Sequence, residues 1–385
     1  MFRSCLSIGI GLLLVGVACP VFGQLAPSAV PGAMPSMLGS PYAPAGYLPG
    51  QVPPGGAMFA GFEQVGSPNS APAPGKPGTQ NCDFGCECPS PKWSFFGDII
   101  YLCPSNQEVA IAVPADGPID FGRVPVQAGP TLLAEFEYEP GFRVGGAMQF
   151  TECSQLRTTF TWLEASTNAW GSTTAPFVMW PMVTHPELDL ADRQFLDAGA
   201  RYLLDIELYD VDWVRVLTIG PFHRVDFIVG GRYAGLSQEL RSFFVANGLD
   251  QVATDVNYNG GGIRVGLEGE WFDTSRTWLI YAKSAASFTA GEFRCGFRQD
   301  NNLGQRLVET SWKADRVVSM LDLEVGMGWQ SRNDALRLTA GYMVSGWHNV
   351  ITVPEYIDAV RANSYTGIGD FMTFDGFVGR VDFRF

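Results

Sequence analysis

The chain has 385 residues and a net charge of −14, yet only 17% of its residues are charged, against 46% hydrophobic and 13% aromatic. Soluble domains average about 25% charged residues. The acidic balance excludes a nucleic-acid binder, which needs a basic face to neutralise phosphates, and the aliphatic and aromatic content excludes global disorder. Past the N-terminus no run reaches eighteen uninterrupted apolar residues, so helical membrane spans are excluded as well. A secreted β-rich protein or a membrane protein built from strands remains.

Residues 1–23 read as a secretory signal peptide. Arg3 gives a positive start, residues 8–17 form an apolar run too short for a span, and Val21 and Gly23 are small residues before Gln24. Lipidation of Cys19 is the alternative, but residues 16–18 lack the usual upstream leucine and Pro20 follows. Residues 24–92 hold fourteen prolines, eleven glycines and five charges, with no period of 2 or 3.6. Such a segment cannot bury enough apolar area to offset chain entropy, so it is expected to be a disordered Pro/Gly-rich periplasmic tail. Removing the leader leaves Cys82, Cys86, Cys88, Cys103, Cys153 and Cys295. An even number in an oxidising compartment favours disulfides without selecting a pairing; a metal site would need a further ligand pair that the spacing does not offer.

From Trp93 to Phe385 the dominant signal is a period of two. In NGGGIRVGLEGEW, Ile263, Val265, Leu267 and Trp271 share one parity while Arg264, Glu268 and Glu270 take the other. Successive strand side chains face opposite ways, so the segment has one oily and one charged face. Phe142, Val144 and Phe150 likewise oppose Arg143; Leu156, Phe160 and Trp162 oppose Arg157; Leu196, Tyr202 and Leu204 oppose Asp197, Arg201 and Asp205. Val225, Phe227 and Tyr233 oppose Asp226 and Arg232; Leu321, Val325 and Trp329 oppose Asp322 and Glu324; Leu338 and Tyr342 oppose Arg337. Residues 93–103 and 277–288 are strand-like but less regular.

Segments of about ten to fourteen residues suit a tilted bilayer crossing better than a soluble sandwich. Aromatic residues at the ends of an apolar face, with charges of both signs on the other, match a lipid-facing wall and a polar lumen. Short links at 151–155, 273–276 and 331–334 alternate with long ones at 104–137, 165–193, 237–256, 289–315 and 348–369, the intermediate 210–221 falling on the short-turn side. The expected fold is an all-β, transmembrane, antiparallel up-and-down barrel of about ten strands (eight to twelve) over residues 93–385, with both termini periplasmic. The final strand, DGFVGRVDFRF, ends on Phe385 in the manner of a sorting signal for outer-membrane barrels, which makes the barrel assembly machinery an expected partner beside outer-membrane lipid. The expected lumen residues are Arg143, Arg157, Asp197, Arg201, Asp226, Arg232, Arg264, Glu268, Glu270, Asp322, Glu324, Arg337, Arg380 and Asp382.

The segments GDIIYLCPSNQEVAIAVPADGPID, PGFRVGGAMQF, GGRYAGL at 230–236 and FDGFVGRVDFRF, in that order, resemble the pore-forming outer-membrane proteins related to the Legionella major outer membrane protein, especially planctomycete versions. The resemblance covers about residues 93–385 and implies a barrel in a bacterial outer membrane with no catalytic residues to carry over. Cys103 stands where such proteins often carry arginine.

Nothing in the sequence reads as a catalytic, cofactor-binding or metal site. His185, His223 and His348 are scattered without ligand spacing. Of these only His348, beside Ser345 and Asn349, stands at the height an interfacial esterase would need, and neighbours on a strand point apart. Acidic residues in the first two long links (Asp116, Asp120, Glu135, Glu137, Glu139; Glu187, Asp189, Asp192) would concentrate cations at a pore mouth. The expected function is therefore a narrow, porin-like pore for ions or small solutes. The alternative is a non-conducting structural or adhesive barrel, and a lipid esterase is the less favoured third reading.

Overall fold

The computed structural model describes residues 93–117, 126–151, 153–186, 195–246, 248–301 and 304–385. The leader, the Pro/Gly-rich segment, Cys82, Cys86, Cys88, Asp120, Glu187, Asp189 and Asp192 lie outside the described residues.

The chain forms β1 (Trp93–Ser105), β2 (Val109–Ala115), β3 (Leu132–Ala134), β4 (Glu139–Thr151), β5 (Ser154–Ser172), β6 (Val178–Pro181) and β7 (Asp197–Ile219). It continues through β8 (His223–Val245), β9 (Leu249–Phe272), β10 (Trp278–Asp300), β11 (Arg306–Gln330), β12 (Leu336–Val350), α1 (Val353–Arg361) and β13 (Asp370–Arg384). Ten of these strands close an antiparallel barrel in the order β1-β13-β12-β11-β10-β9-β8-β7-β5-β4. β1 seals it, pairing with β13 on one side and β4 on the other, so no strand edge is left open. The terminal strand is thus a seam strand, with Phe383 opposite Phe95 and the Phe385 amide donating to the Trp93 carbonyl.

The remaining pieces enter the barrel from its long-loop end. β3-β2-β6 make a small separate sheet. α1 starts with a proline in its first turn beside Glu355 and ends on Arg361, charges that complement its dipole. Its Val353, Tyr356, Ile357 and Val360 are buried in one apolar cluster with Ile111, Met179, Tyr202, Phe244 and Trp347. The expected link at 348–369 therefore contains a helix that fills the barrel.

Strands β7 to β11 are 23–25 residues long, about twice what a bilayer crossing needs. Two expected long links vanish for this reason. Three residues separate β8 from β9, and five separate β10 from β11. Along these strands the faces exchange polarity. In the half nearer the short turns the outer wall is apolar, with Ile263, Val265, Leu267 and Trp271 between 40% and 63% exposed. In the other half the outer wall carries Glu239, Arg241, Asp255, Glu292 and Arg294. There Leu236, Leu240, Phe244, Val256, Phe293 and Phe297 point inward and are buried. The lower half is built for lipid outside and ions inside, and the upper half for water outside and a dry core.

This exchange corrects the expectation for β7. Asp197 and Arg201 stand on the outer wall of the upper half, not in the lumen, and Tyr202 is a fully buried core residue rather than a lipid-facing girdle. The membrane-facing part of β7 is the stretch assigned to an intermediate link, where Tyr209, Val211, Trp213 and Leu217 face outward. Aromatic rings at the polarity boundary touch in a row around the wall: Phe142 with Phe160, Phe160 with Tyr209, and Tyr209 with Tyr233, at centroid distances of 4.7–6.0 Å. Gly262 is needed inside this wall, because a Cβ there would lie 1.8 Å from the Phe288 carbonyl oxygen. Cys103 and Cys295 are buried, the Cys103 thiol lying 3.7 Å from the Phe136 carbonyl oxygen, whereas Cys153, in the β4–β5 turn, is disulfide-bonded.

Candidate functional site

The lower lumen is a stack of ion pairs. Strand alternation aims one residue in two inward, so each strand contributes one to three charges. Twelve of the fourteen residues expected in the lumen face it: Arg143, Arg157, Asp226, Arg232, Arg264, Glu268, Glu270, Asp322, Glu324, Arg337, Arg380 and Asp382. Asp98, Asp210, Asp212, Arg224, Lys283 and Arg384 join them. Asp98 was hidden as a lone charge in the apolar text of β1. Asp210 and Asp212 fell in a segment read as a link, and Lys283 lay in a strand of irregular pattern.

At the short-turn mouth, Arg384 pairs with Asp382, Arg337 with Glu270 at 2.8 Å, and Arg224 with Asp226 at 2.9 Å. One layer deeper, Arg157 holds Glu268 at 2.9 Å and Lys283 holds Glu324 at 2.9 Å. Arg380 makes a fork to both oxygens of Asp98, at 2.7 Å each, and lies 4.3 Å over the Phe96 ring. Arg143 bridges Asp98 and Glu324 at 3.3 and 3.1 Å. The deepest layer is a crossed quartet. Arg232 takes Asp210 and Asp322, both at 2.7 Å, while Arg264 reaches the same two carboxylates at 3.1 and 3.2 Å and Asp212 at 3.6 Å.

Among the described residues these side chains sum to nine cations and nine carboxylates, a neutral lumen. Neutrality is what burial requires, because an unpaired charge taken out of water costs several kcal/mol. Two spaces remain between the layers. A cavity of about 180 Å³ opens at the short-turn end among Trp93, Cys153, Arg224, Glu270, Arg337 and Arg384. A second, of about 80 Å³, lies deeper among Arg143, Asp210, Asp212, Arg264 and Asp322. Both touch Arg157, Glu268, Lys283 and Arg380, which form the constriction between them. Each is large enough for several waters. The deepest layer then meets the dry core: Ser345 donates to Asp322 at 2.6 Å and itself accepts from the Trp347 indole at 3.1 Å.

Above that contact a polar pin crosses the apolar core. The Gln238 amide donates to the Ile351 carbonyl at 3.0 Å, and its oxygen accepts from the Tyr202 hydroxyl at 2.8 Å and the Val353 amide at 3.3 Å. Gln238 thereby fastens β8 to the start of α1. At the other edge of α1 a Glu355 carboxylate oxygen accepts from the Gly369 amide, and burial beside Asp370 pushes the Glu355 carboxyl above its usual range.

His348 stands outside the barrel with its ring 4.4 Å from that of Phe371, and Ser345 points into the lumen. The two are not brought together. No group of three or more His, Cys, Asp or Glu side chains among the described residues has the geometry to hold a metal ion.

A closed antiparallel barrel with a lipid-matched outer band, an aromatic boundary and a charged lumen defines the class of outer-membrane β-barrel proteins. The family model described as the Legionella pneumophila major outer membrane protein precursor matches residues 86–377, and the chain belongs to that family. No curated protein matches the chain. Among solved structures the chain is similar to the outer-membrane protease OmpT of Escherichia coli, at 10% identity and a TM-score of 0.46, over 80% of this chain and all of the other. It is also similar to the Pseudomonas putida toluene transporter TodX, at 11% identity and a TM-score of 0.30, over 74% of this chain and 67% of the other. By the rule that short turns of such barrels are periplasmic, the ion-paired mouth faces the periplasm and the dry core faces outward.

Proposed function

We propose that the protein is a narrow, porin-like pore for ions or small polar solutes, held shut by the packed core that α1 and the β3-β2-β6 sheet complete. The observation that carries this reading is the pair of charge-lined cavities running inward from the periplasmic mouth and stopping under the Ser345–Trp347 contact. A barrel meant only as a wall has no need of a charge-lined half-channel open at one end. Export through a cleaved leader and insertion through the strand ending in Phe385 complete the proposal. The nine-to-nine pairing speaks for a second reading, a non-conducting structural barrel, since forked pairs such as Arg380–Asp98 rigidify as well as line. A catalytic role has no support in the separation of His348 from Ser345.

Planar-bilayer recording of the full-length protein decides between them. Wild type is expected to show rare openings, and Gln238→Ala, which unpins α1, is expected to raise their frequency. If neither conducts while both show folded, heat-modifiable migration on gels, the pore reading is replaced by the structural one.

A further inference from the structure

Ten residues above the aromatic boundary, the outer wall carries a second aromatic feature that lipid does not explain. Trp170 on β5, Gly199 on β7 and Phe243 on β8 sit directly opposite one another across three strands. Trp170 is 61% exposed although its ring lies only 5.4 Å from that of Phe243. Gly199 makes the arrangement possible: a Cβ there would lie 2.4 Å from the Phe243 ring, so only glycine lets that ring lie down over β7 toward the tryptophan. The result is an apolar aromatic shelf, its two rings inclined at 41°, on the part of the wall that faces water.

The row beneath the shelf is equally specific. Asn168, Arg201 and Arg241 face one another across the same three strands. Like charges directly opposite on neighbouring strands repel. Arg241 is compensated by Glu239 at 2.8 Å and Asp255 at 3.0 Å, whereas Arg201 is exposed and has no ion-pair partner among the described residues. An aromatic shelf, an amide and an uncompensated guanidinium side by side are the recognition elements of a sugar ring that bears an acidic substituent. The apolar face of the ring stacks on Trp170, its hydroxyls meet Asn168, and its anion meets Arg201.

Height selects the source of that sugar. Tyr209, in the aromatic boundary row, and Gly199 are ten residues apart on β7. At about 3.3 Å per residue and a strand tilt of about 40°, the shelf stands roughly 25 Å above the lipid boundary. It stands on the outer wall two residues below the ends of β5, β7 and β8, within reach of a chain rising from the same leaflet. We propose that Trp170, Phe243, Asn168 and Arg201 form a docking surface for the acidic saccharide portion of glycolipids in the same outer leaflet.

The test uses the folded full-length protein in detergent and measures binding of three probes: intact acidic lipopolysaccharide, its deglycosylated lipid, and the released oligosaccharide. Intact lipopolysaccharide is expected to bind, and Trp170→Ala to weaken it about tenfold, the worth of one aromatic face. Trp170→Phe is expected to restore most of the loss, and Arg201→Glu to weaken binding with reduced salt dependence. Neither change should affect binding of the deglycosylated lipid. Arg201 is exposed, so this variant keeps the test valid if Trp170→Ala folds poorly. Equal binding of intact lipopolysaccharide by wild type, Trp170→Ala and Arg201→Glu overturns the proposal. Binding of the released oligosaccharide without binding of the intact glycolipid overturns the same-leaflet source. The outcome is independent of conductance, so it stands or falls apart from the pore reading.

Discussion

Val265 and Arg264 are neighbours on β9 that the fold sends into opposite media, and exchanging their character tests the lower half directly. The outward residues of β9 from the boundary row to the periplasmic girdle run from Gly261 to Trp271, which places Val265, 40% exposed, close to the bilayer midplane. A cationic side chain there costs about 2–4 kcal/mol in a lipid-facing wall. Val265→Arg is thus expected to lower the folded-to-unfolded ratio by roughly one and a half to three decades. Arg264→Gln is expected to lower stability yet still insert, because Arg232 keeps Asp210 and Asp322 at 2.7 Å and Arg157 stays 3.9 Å from Asp212. The assay is denaturant unfolding in phospholipid vesicles, read by tryptophan fluorescence and by heat-modifiable migration, with Val265→Leu as control. If Arg264→Gln blocks insertion while Val265→Arg assembles as wild type, the inside–outside assignment is inverted and the lumen described above does not exist.

Three further outcomes follow from the same geometry. Asp98 has a fully buried side chain between Arg380 and Arg143, so Asp98→Ala strands two cations and is expected to cost about 3–5 kcal/mol by vesicle denaturation; a loss under about 1 kcal/mol would show that water already reaches the site. Gly262→Ala forces a Cβ against the Phe288 carbonyl and is expected to reduce the yield of folded barrel, whereas Gly379→Ala, with open space at its Cβ, leaves it unchanged. Glu355 carries a raised pKa from burial and from Asp370, with Arg316 acting in the opposite sense. A carboxyl whose folded pKa exceeds its unfolded one stabilises the fold most when protonated, so its contribution is lost as pH rises from the ordinary carboxylate range through the raised value. The protection factors of the α1 amides, corrected for the intrinsic pH dependence of exchange, are expected to fall across that window in wild type and to stay flat in Glu355→Gln.

The lower barrel was legible because lipid and lumen impose opposite chemistry on alternate residues, and β8, β9, β11 and the closing strand carry that code cleanly. The same code misled at β7. Alternation persists through Ala198, Ala200, Tyr202 and Leu204, but above the lipid boundary the apolar parity turns inward, so a period of two alone could not say which face was wet. The pattern on its own therefore points Asp197 and Arg201 inward, whereas both stand on the outer wall. The boundary itself leaves a trace in the sequence: at Leu208 to Asp210 on β7 the inward parity changes from aliphatic to acidic, with an outward aromatic, Tyr209, between them. The helix at Val353–Arg361 was missed because its single apolar face is short and begins at a proline. Asp98 could not have been found by pattern; only the register that brings Arg143 and Arg380 to its flanks gives it meaning.

The exchange of polarity along β7 to β11 means that each long strand is dissolved in two solvents at once. Its lower tier is at ease only with oil around it, while its upper tier is organised like any water-soluble β-barrel, greasy within and charged without. Such a molecule has two separate reasons to stay folded, and they respond to different insults. Stripping away lipid acts first on the former; chilling acts first on the buried core of the latter. The strands, continuous through both tiers, convey damage in either one to the other. They also lock alignment twice over, since slipping any of them by one residue would put charge into oil and grease into water along the same length of chain.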